Sequence, residues 1–236
     1  MVELSVIIPT YNEEKGIGAT LESLARQTLP RSQYEIIVVD GNSSDRTREV
    51  AARLADRVIL QRGKGVGGAR NDGAAAAAGR IVVHTDGDAV APEDWLETIR
   101  SLFRGDVVCV CGPDSPREAD GKYRALYGLI NSFSCMASLM GFVWTRGANT
   151  SVRRDAFVAV GGYSDLPILD DGELGLRLKR VGRLVYSPRV GVKVSMRRFR
   201  KHGISSIFSL WLRNDLMMLV ARRRPSAGRG YHRETY

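Results

Sequence analysis

The sequence has little with which to build a covalent or histidine scaffold: three cysteines and three histidines in 236 residues. Cys109, Cys111 and Cys135 are an odd set with no second cluster at zinc-site spacing. That argues against a disulfide framework or a cysteine-bound zinc and leaves reduced, buried thiols of an intracellular protein as the expectation. With only His84, His202 and His232 available, a histidine-based transition-metal centre is disfavoured. Long hydrophobic runs are also missing. No charged residue falls from Leu126 to Trp144, but the stretch is diluted by Gly128, Asn131 and serines, so it is expected as a buried or membrane-grazing helix rather than a span. No signal peptide is expected, because Glu3 interrupts a start that is already strand-like. Acidic residues are scarce at the other end. From Leu176 onward 16 Lys/Arg face 2 Asp/Glu, a net of +14, which leaves 19 against 24, or −5, for residues 1–175 and +9 overall. A cationic last quarter on a mildly acidic body fits contact with a polyanion: substrate phosphates, an anionic membrane face or nucleic acid.

What remains is ordinary globular material, 44% hydrophobic and 26% charged, long enough for one mixed domain. Leu4 to Ile8 is an all-apolar run closed by Pro9, as in a strand buried on both faces. Ile17, Leu21 and Leu24 follow at helical spacing. YEIIVVD, residues 34–40, is a second buried strand, and Ser44 or Asp45 could cap a helix running to about Ala55. RVILQ gives a third strand. GKGVGGARNDGAAAAAG gives a loop and an alanine-rich helix, and IVVHTD a fourth strand. This alternation predicts an α/β fold with a doubly wound, mostly parallel sheet and ligands at the carboxyl ends of its strands. Further on come a helix opening at Pro92, a strand DVVCVCG, the uncharged helix, a short strand near TRGANTSV, a helix in ILDDGELGLRLKRVG and a short strand RLVYS. MRRFRKHG reads as a basic loop. Residues 204–221 read as an amphipathic helix, with Ile204, Ile207, Phe208, Trp211, Leu212 and Leu219 on one face and Arg222, Arg223 and Arg224 after it. The segment 197–225 suits a membrane interface or a helix packed on the body, and 226–236 is expected to be disordered.

The centre of interest is IVVHTDGDAV, where Asp86-Gly87-Asp88 leaves the end of a strand. Two carboxylates there could hold Mg²⁺ or Mn²⁺, which take oxygen ligands and leave positions for water and nucleotide phosphates. The other strand ends would add Thr10, Tyr11 and Glu13, then Asp40, then Lys64. Acids, an aromatic face and a lysine beside a glycine-rich turn suit a nucleotide.

Taken in order, VIIPTYNEE, VVDGNSSDRT, GVGGARNDGA, HTDGDA, TRGANTSV and LDDGELGLRLKR resemble the family-2 inverting glycosyltransferases of the GT-A fold, over residues 2 to about 200. Membrane-associated dolichyl- and polyprenyl-phosphate sugar transferases and short cellulose-synthase-like enzymes are the members it is most similar to. The resemblance implies a catalytic domain over 1–196, with a nucleotide-sugar half (1–112) and an acceptor half (113–196). Pro9, Tyr11 and Glu13 would border the nucleoside and Asp40 would accept a hydrogen bond from the base. Lys64, Gly68 and Arg70 would approach the diphosphate or sugar, and Asp86, Gly87 and Asp88 the ribose and the cation, with Asp88 the direct metal ligand. Asp171 matches the general base, with Asp170 competing for the role because the usual Glu-Asp pair here begins with aspartate. Trp144, Gly147 and Asn149, with Arg198 and Arg200, would lie on the acceptor and phosphate side. The tryptophan of the processive enzymes' basic motif is missing, which argues against long-chain synthesis. The implied partners are a GDP or UDP sugar, with mannose or glucose favoured, a lipid-linked acceptor and the anionic cytoplasmic face of a membrane, and no nucleic acid.

Three rival readings exist. Gly63, Gly65 and Gly68 spell G-x-G-x-x-G, the fingerprint of dinucleotide-binding oxidoreductases, but in the third strand-helix unit rather than the first. A sugar nucleotidyltransferase would carry a glycine-rich loop after the first strand, where this chain has PTYNEE. A nucleic-acid-binding role for the basic tail would set the body's acids against a polyanion.

Overall fold

The computed structural model describes residues 1–118 and 120–219. The strands are β1 (Leu4–Thr10), β2 (Tyr34–Asp40), β3 (Arg57–Leu60), β4 (Ile81–His84), β5 (Val107–Cys111), β6 (Asp114–Pro116), β7 (Thr150–Arg153), β8 (Arg183–Tyr186) and β9 (Val192–Val194). The helices are α1 (Ile17–Ala25), α2 (Thr47–Ala51), α3 (Gly65–Ala76), α4 (Trp95–Leu102), α5 (Gly121–Leu139), α6 (Arg154–Ala159), α7 (Asp170–Leu178), α8 (Arg197–His202) and α9 (Ile204–Leu219).

Seven strands form one sheet in the order β3-β2-β1-β4-β7-β5-β8. All its pairings are parallel except those of β7, which runs antiparallel to both β4 and β5. The mostly parallel, helix-flanked sheet expected from the sequence is therefore present, and the segment after residue 112 contributes a strand to its middle. β6 and β9 make a separate parallel pair.

The apolar runs form strands because both faces of this sheet are covered. Val6, Ile8, Ile36, Val38, Ile81 and Val83 face Ile17, Leu21, Leu24, Trp95, Leu96 and Ile99 of α1 and α4. Their alternate neighbours Ile7, Ile37, Val39 and Val82 face Ala69 and Ala74 of α3, Phe157 of α6 and Leu174 and Leu178 of α7. Period-two alternation thus feeds two cores, and the sheet is the middle of three layers.

Several expectations are corrected. MRRFRKHG is not a loop: Arg197–His202 is a helix, held by the buried Met196 and Phe199. The uncharged helix is not buried. Of α5 only Tyr123, Tyr127 and Ala137 are, and Leu129, Phe133, Met136 and Leu139 project outward. Among the described residues no helix is long and apolar enough to cross a membrane. Cys109 and Cys111 are buried as expected, while Cys135 is only half-buried. The helix expected to run to Ala55 stops at Ala51; its N-cap is Arg46, with no side-chain cap, and Asp45 one residue earlier accepts from the Thr47 amide at 2.9 Å. Ile207 of α9 is buried and Ile204 packs against the same core. Arg222, Arg223, Arg224 and the expected disordered end lie outside the described residues.

Candidate active site

Parallel strands deliver their carboxyl ends to one edge of the sheet. Thr10 at the end of β1 lies opposite Asp40 at the end of β2, and His84 at the end of β4 lies opposite Ile7 and Thr150. Because β7 is antiparallel, the segment that leads into it, residues 144–149, arrives at that same edge. Acids leaving β4 and groups preceding β7 therefore meet.

Arg70 ties the two sets together. It is 3% exposed on α3; its Nη2 donates to Asp86 Oδ1 at 3.0 Å and its Nη1 to Asp170 Oδ2 at 3.5 Å. Its guanidinium carbon stands 5.3 Å from the ring centroid of Tyr163, a cation–π contact. Two glycines make the space. A Cβ on Gly147 would come within 2.5 Å of Arg70 Nη2, and one on Gly67 within 2.9 Å of Asp170 Oδ2.

Asp170 and Asp171 open α7, after Leu169 in the left-handed region at φ 59°. A non-glycine residue there costs roughly 1–2 kcal/mol, which the surrounding contacts must offset. Asp171 Oδ2 accepts from the Gly147 amide at 2.7 Å and its Oδ1 from the Gly172 amide at 2.8 Å. The Thr145 hydroxyl donates to the Asp171 carbonyl. Burial pushes both carboxyls up, Asp170 to about 6 against the pull of Arg70. A carboxylate so raised is a better proton acceptor than a free one. Trp144 closes over this helix start: a Cβ on Gly172 would lie 2.8 Å from its ring, which also stacks on Phe142 at 5.8 Å.

On the other side of Asp86 stand Asp88 and Glu13. Glu13 is 5% exposed; its Oε1 accepts from Arg197 Nη2 at 2.7 Å, and its Oε2 is buried with no partner. The same Arg197 nitrogen is 3.5 Å from Asp88 Oδ2. Burial is the main cause that raises Glu13 to about 7 and Asp88 to about 6, with the neighbouring acids adding to it. A hard divalent cation fits these donors: Asp86 and Asp88 offer oxygen ligands, Glu13 has an orphaned oxygen, and a guanidinium already stands in for positive charge. Among the described residues no three acid, histidine or cysteine side chains gather into a complete cage. A cation here would need further ligands from water or substrate.

The other expected residues are distributed as follows. Pro9 and Tyr11 are half-buried on the rim that carries Asp40. Asp40 itself is fully buried and accepts from the Ser43 amide at 2.9 Å and the Ser43 hydroxyl at 2.5 Å, so its carboxylate anchors the loop after β2. Lys64 is exposed just before α3. Gly68 packs so closely on Gly63 that a Cβ would sit 2.5 Å from the Gly63 carbonyl carbon, a packing reason for the glycine pattern. Gly87 accepts the Thr20 hydroxyl at 2.9 Å on its carbonyl. Asn149 is a correction. It is 1% exposed, and its side-chain amide clamps the Val190 and Pro113 carbonyls at 2.7 and 3.2 Å instead of facing an acceptor. Arg198 and Arg200 lie exposed on α8, although Arg198 is near enough to pull the Asp88 carboxyl down. The guanidinium that enters the acid cluster is Arg197, which sequence reading passed over, as it did Tyr163 and Gly67.

Comparison with known proteins points the same way as the geometry. The family described as "Glycosyl transferase family 2" matches residues 5–160. Glycosyltransferase AglE of Haloferax volcanii is 36% identical over 115 residues, 46% of this chain and 38% of that protein. Beta-monoglucosyldiacylglycerol synthase of Trichormus variabilis is 29% identical over 229 residues, 88% of this chain and 46% of that protein. The chain thus spans less than half the length of these curated relatives. Among solved structures, mannosyltransferase PcManGT from Pyrobaculum calidifontis, in complex with GDP-Man and Mn²⁺, superposes with a TM-score of 0.65 at 26% identity. That match covers 89% of this chain and 64% of the other. S. aureus TarS 1-349, in complex with UDP-GlcNAc, has a TM-score of 0.66 over 83% of this chain and 59% of its own, and at 19% identity shows the shared fold.

Proposed function

This chain belongs to glycosyl transferase family 2, and from that premise we propose that it is the catalytic part of an inverting, metal-dependent transferase that moves a hexose from a nucleotide diphosphate sugar to a lipid-linked acceptor. The observation that carries the reading is the Arg70 bridge. One buried guanidinium joins an acid of the strand-exit pair, Asp86, to an acid of the helix-start pair, Asp170. In this reading the donor and base groups are held within reach of one another.

In this reading Asp86 and Asp88 hold a divalent cation, and the cation when bound neutralises negative charge that grows on the departing diphosphate. Arg70 adds a permanent positive charge beside the same pair. Asp171 takes the proton of the acceptor hydroxyl, its carboxylate aimed by the Gly147 and Gly172 amides. Attack from that side, opposite the leaving group, inverts the anomeric centre. Asp170 is the weaker candidate for the base because Arg70 engages it. Mannose and glucose are the favoured sugars: of the neighbours, one holds GDP-Man and another is named as a glucosyldiacylglycerol synthase.

A lipid-linked acceptor at an anionic membrane surface is supported by the outer face of α5. Leu129, Phe133 and Met136 are 72%, 68% and 59% exposed, and the face continues through Met140 and Phe142 to Trp144 at the base. Tyr123 and Tyr127, on another face of α5, pack on Phe199 of α8, whose Arg198 and Arg200 are exposed. Exposed apolar side chains together with exposed arginines suit anionic lipid.

The test is transfer from GDP-mannose and UDP-glucose with Mn²⁺ to a polyprenyl phosphate, with the product's anomer read by NMR. Asp171→Asn is expected to keep donor affinity and lose transfer by about 10²–10⁴-fold, the usual weight of a general base. Loss of transfer in Asp170→Asn with Asp171→Asn still active would reassign the base.

A further inference from the structure

Arg197 has no role in the reaction as derived above, yet it makes the closest charged contact in the acid cluster, 2.7 Å from Glu13 Oε1 and 3.5 Å from Asp88 Oδ2. Its position is built. The preceding Met196 is fully buried and its amide donates to Glu118 Oε2 at 3.0 Å, and Phe199, two residues on, is buried against Tyr123 and Tyr127 with centroids 6.1 Å away. α8 thus starts between two anchors, and the side chain it delivers reaches back to the turn after β1. Glu13 cannot bring this about alone, since its amide is tied to Thr47 Oγ1 at 2.7 Å and its side chain is buried.

We infer that Arg197 is an internal counter-cation: its guanidinium takes the place between Glu13 and Asp88 that a divalent ion must enter, so metal without nucleotide meets a competitor that the protein itself supplies. The inference rests on the reading of Asp86 and Asp88 as the metal-holding pair and adds an order of events to it. A guanidinium and a divalent ion cannot share the Asp88 carboxylate at these distances without strong like-charge repulsion. Arg197 is 35% exposed at its side chain, so it can swing outward when the ion enters. A nucleotide diphosphate lowers the cost of that swing, because its phosphates give the displaced guanidinium a new anionic partner. Metal and nucleotide therefore bind with positive coupling, reciprocal between the two.

The experiment is Mn²⁺ binding to the full chain without nucleotide, read from the electron paramagnetic resonance signal of the free aquo ion. Arg197→Gln is expected to bind Mn²⁺ on the order of tenfold tighter than wild type, within the usual range of coupling between sites. Arg197→Lys, which keeps the charge, should stay close to wild type. Arg53→Gln removes an exposed charge paired with Glu49 and controls for net charge. With GDP or UDP added, the gap between wild type and Arg197→Gln should narrow. Equal nucleotide-free affinity in wild type and Arg197→Gln, with binding abolished by Asp88→Ala, overturns the counter-cation and leaves the metal site standing. Binding that Asp88→Ala does not alter removes the metal site and the counter-cation together.

Discussion

Asp171 illustrates how one residue's environment decides its chemistry. Burial pushes its carboxyl above the ordinary aspartate range, outweighing Arg70 and two backbone amides that favour its charged form. A base acts only when unprotonated, so kcat/KM should be full above the raised pKa and fall as pH drops through it. Glu13, raised to about 7, adds a second group in the same window. The profile should therefore be measured in wild type and in Glu13→Gln, where the surviving acidic limb reports the Asp170–Asp171 pair together with Asp88, raised to about 6. A limb centred near 4 in that variant would mean that burial does not tune the base. At this scale the sequence was readable where an acid sits at a strand exit or a helix start, as Asp86, Asp88, Asp170 and Asp171 do. It was silent on Arg197, whose partner Glu13 lies 184 positions away; a run of basic residues carries no sign of which guanidinium turns inward. Asn149 misled for the opposite reason. A polar residue in a motif-like run looks like a ligand group, and this one is consumed by two backbone carbonyls.

Among elements, α3 carries the site and depends on small residues to reach it. Gly67 gives way to Asp170 on one turn, and Gly73 meets β1 and β2 lower down, where a Cβ would stand 2.3 Å from Ile7 Cγ2 and 3.1 Å from Val39 Cγ2. Two effects of Gly73→Ala oppose each other. Helix propensity gains about 1 kcal/mol, while forcing a methyl into a packed core costs about 1–3 kcal/mol. Contacts this short on two stiff β-branched side chains favour the cost. Urea unfolding should show a lower midpoint with an unchanged slope, and a stabilised variant would mean that α3 has room to shift. Elements whose burial follows a period were legible for the same reason that they are stable: β1, β2 and β4 are apolar runs covered on both sides. α8 was missed because RRFRKH offers one apolar residue, Phe199, and no period. For α5 the lack of charge left burial and a membrane-grazing position both open, and only one narrow face of it meets the protein.

For the molecule as a whole, the exits of the parallel strands and the entry to β7 gather on one edge of the main sheet, and the apolar stripe of α5 runs from the surface toward Trp144 beside Asp171. The charge asymmetry has the same sense: the acids of the proposed cation site lie in the acidic body, and α8, within the basic last quarter, packs on α5. If the stripe is where a bilayer and its embedded acceptor meet the protein, its side chains contribute to binding and not to folding, because Leu129, Phe133 and Met136 are already in water. The combined variant Leu129→Ser, Phe133→Ser, Met136→Ser should keep its melting temperature and its turnover of a short, water-soluble acceptor. Cosedimentation with phosphatidylglycerol vesicles should weaken by on the order of tenfold or more, since partial burial of three such side chains is worth a few kcal/mol at about 25 cal/mol per Å². Turnover of a vesicle-embedded acceptor should fall in step. Vesicle binding equal to wild type would move the membrane contact away from α5, and a lowered melting temperature would mean that the stripe supports the fold after all.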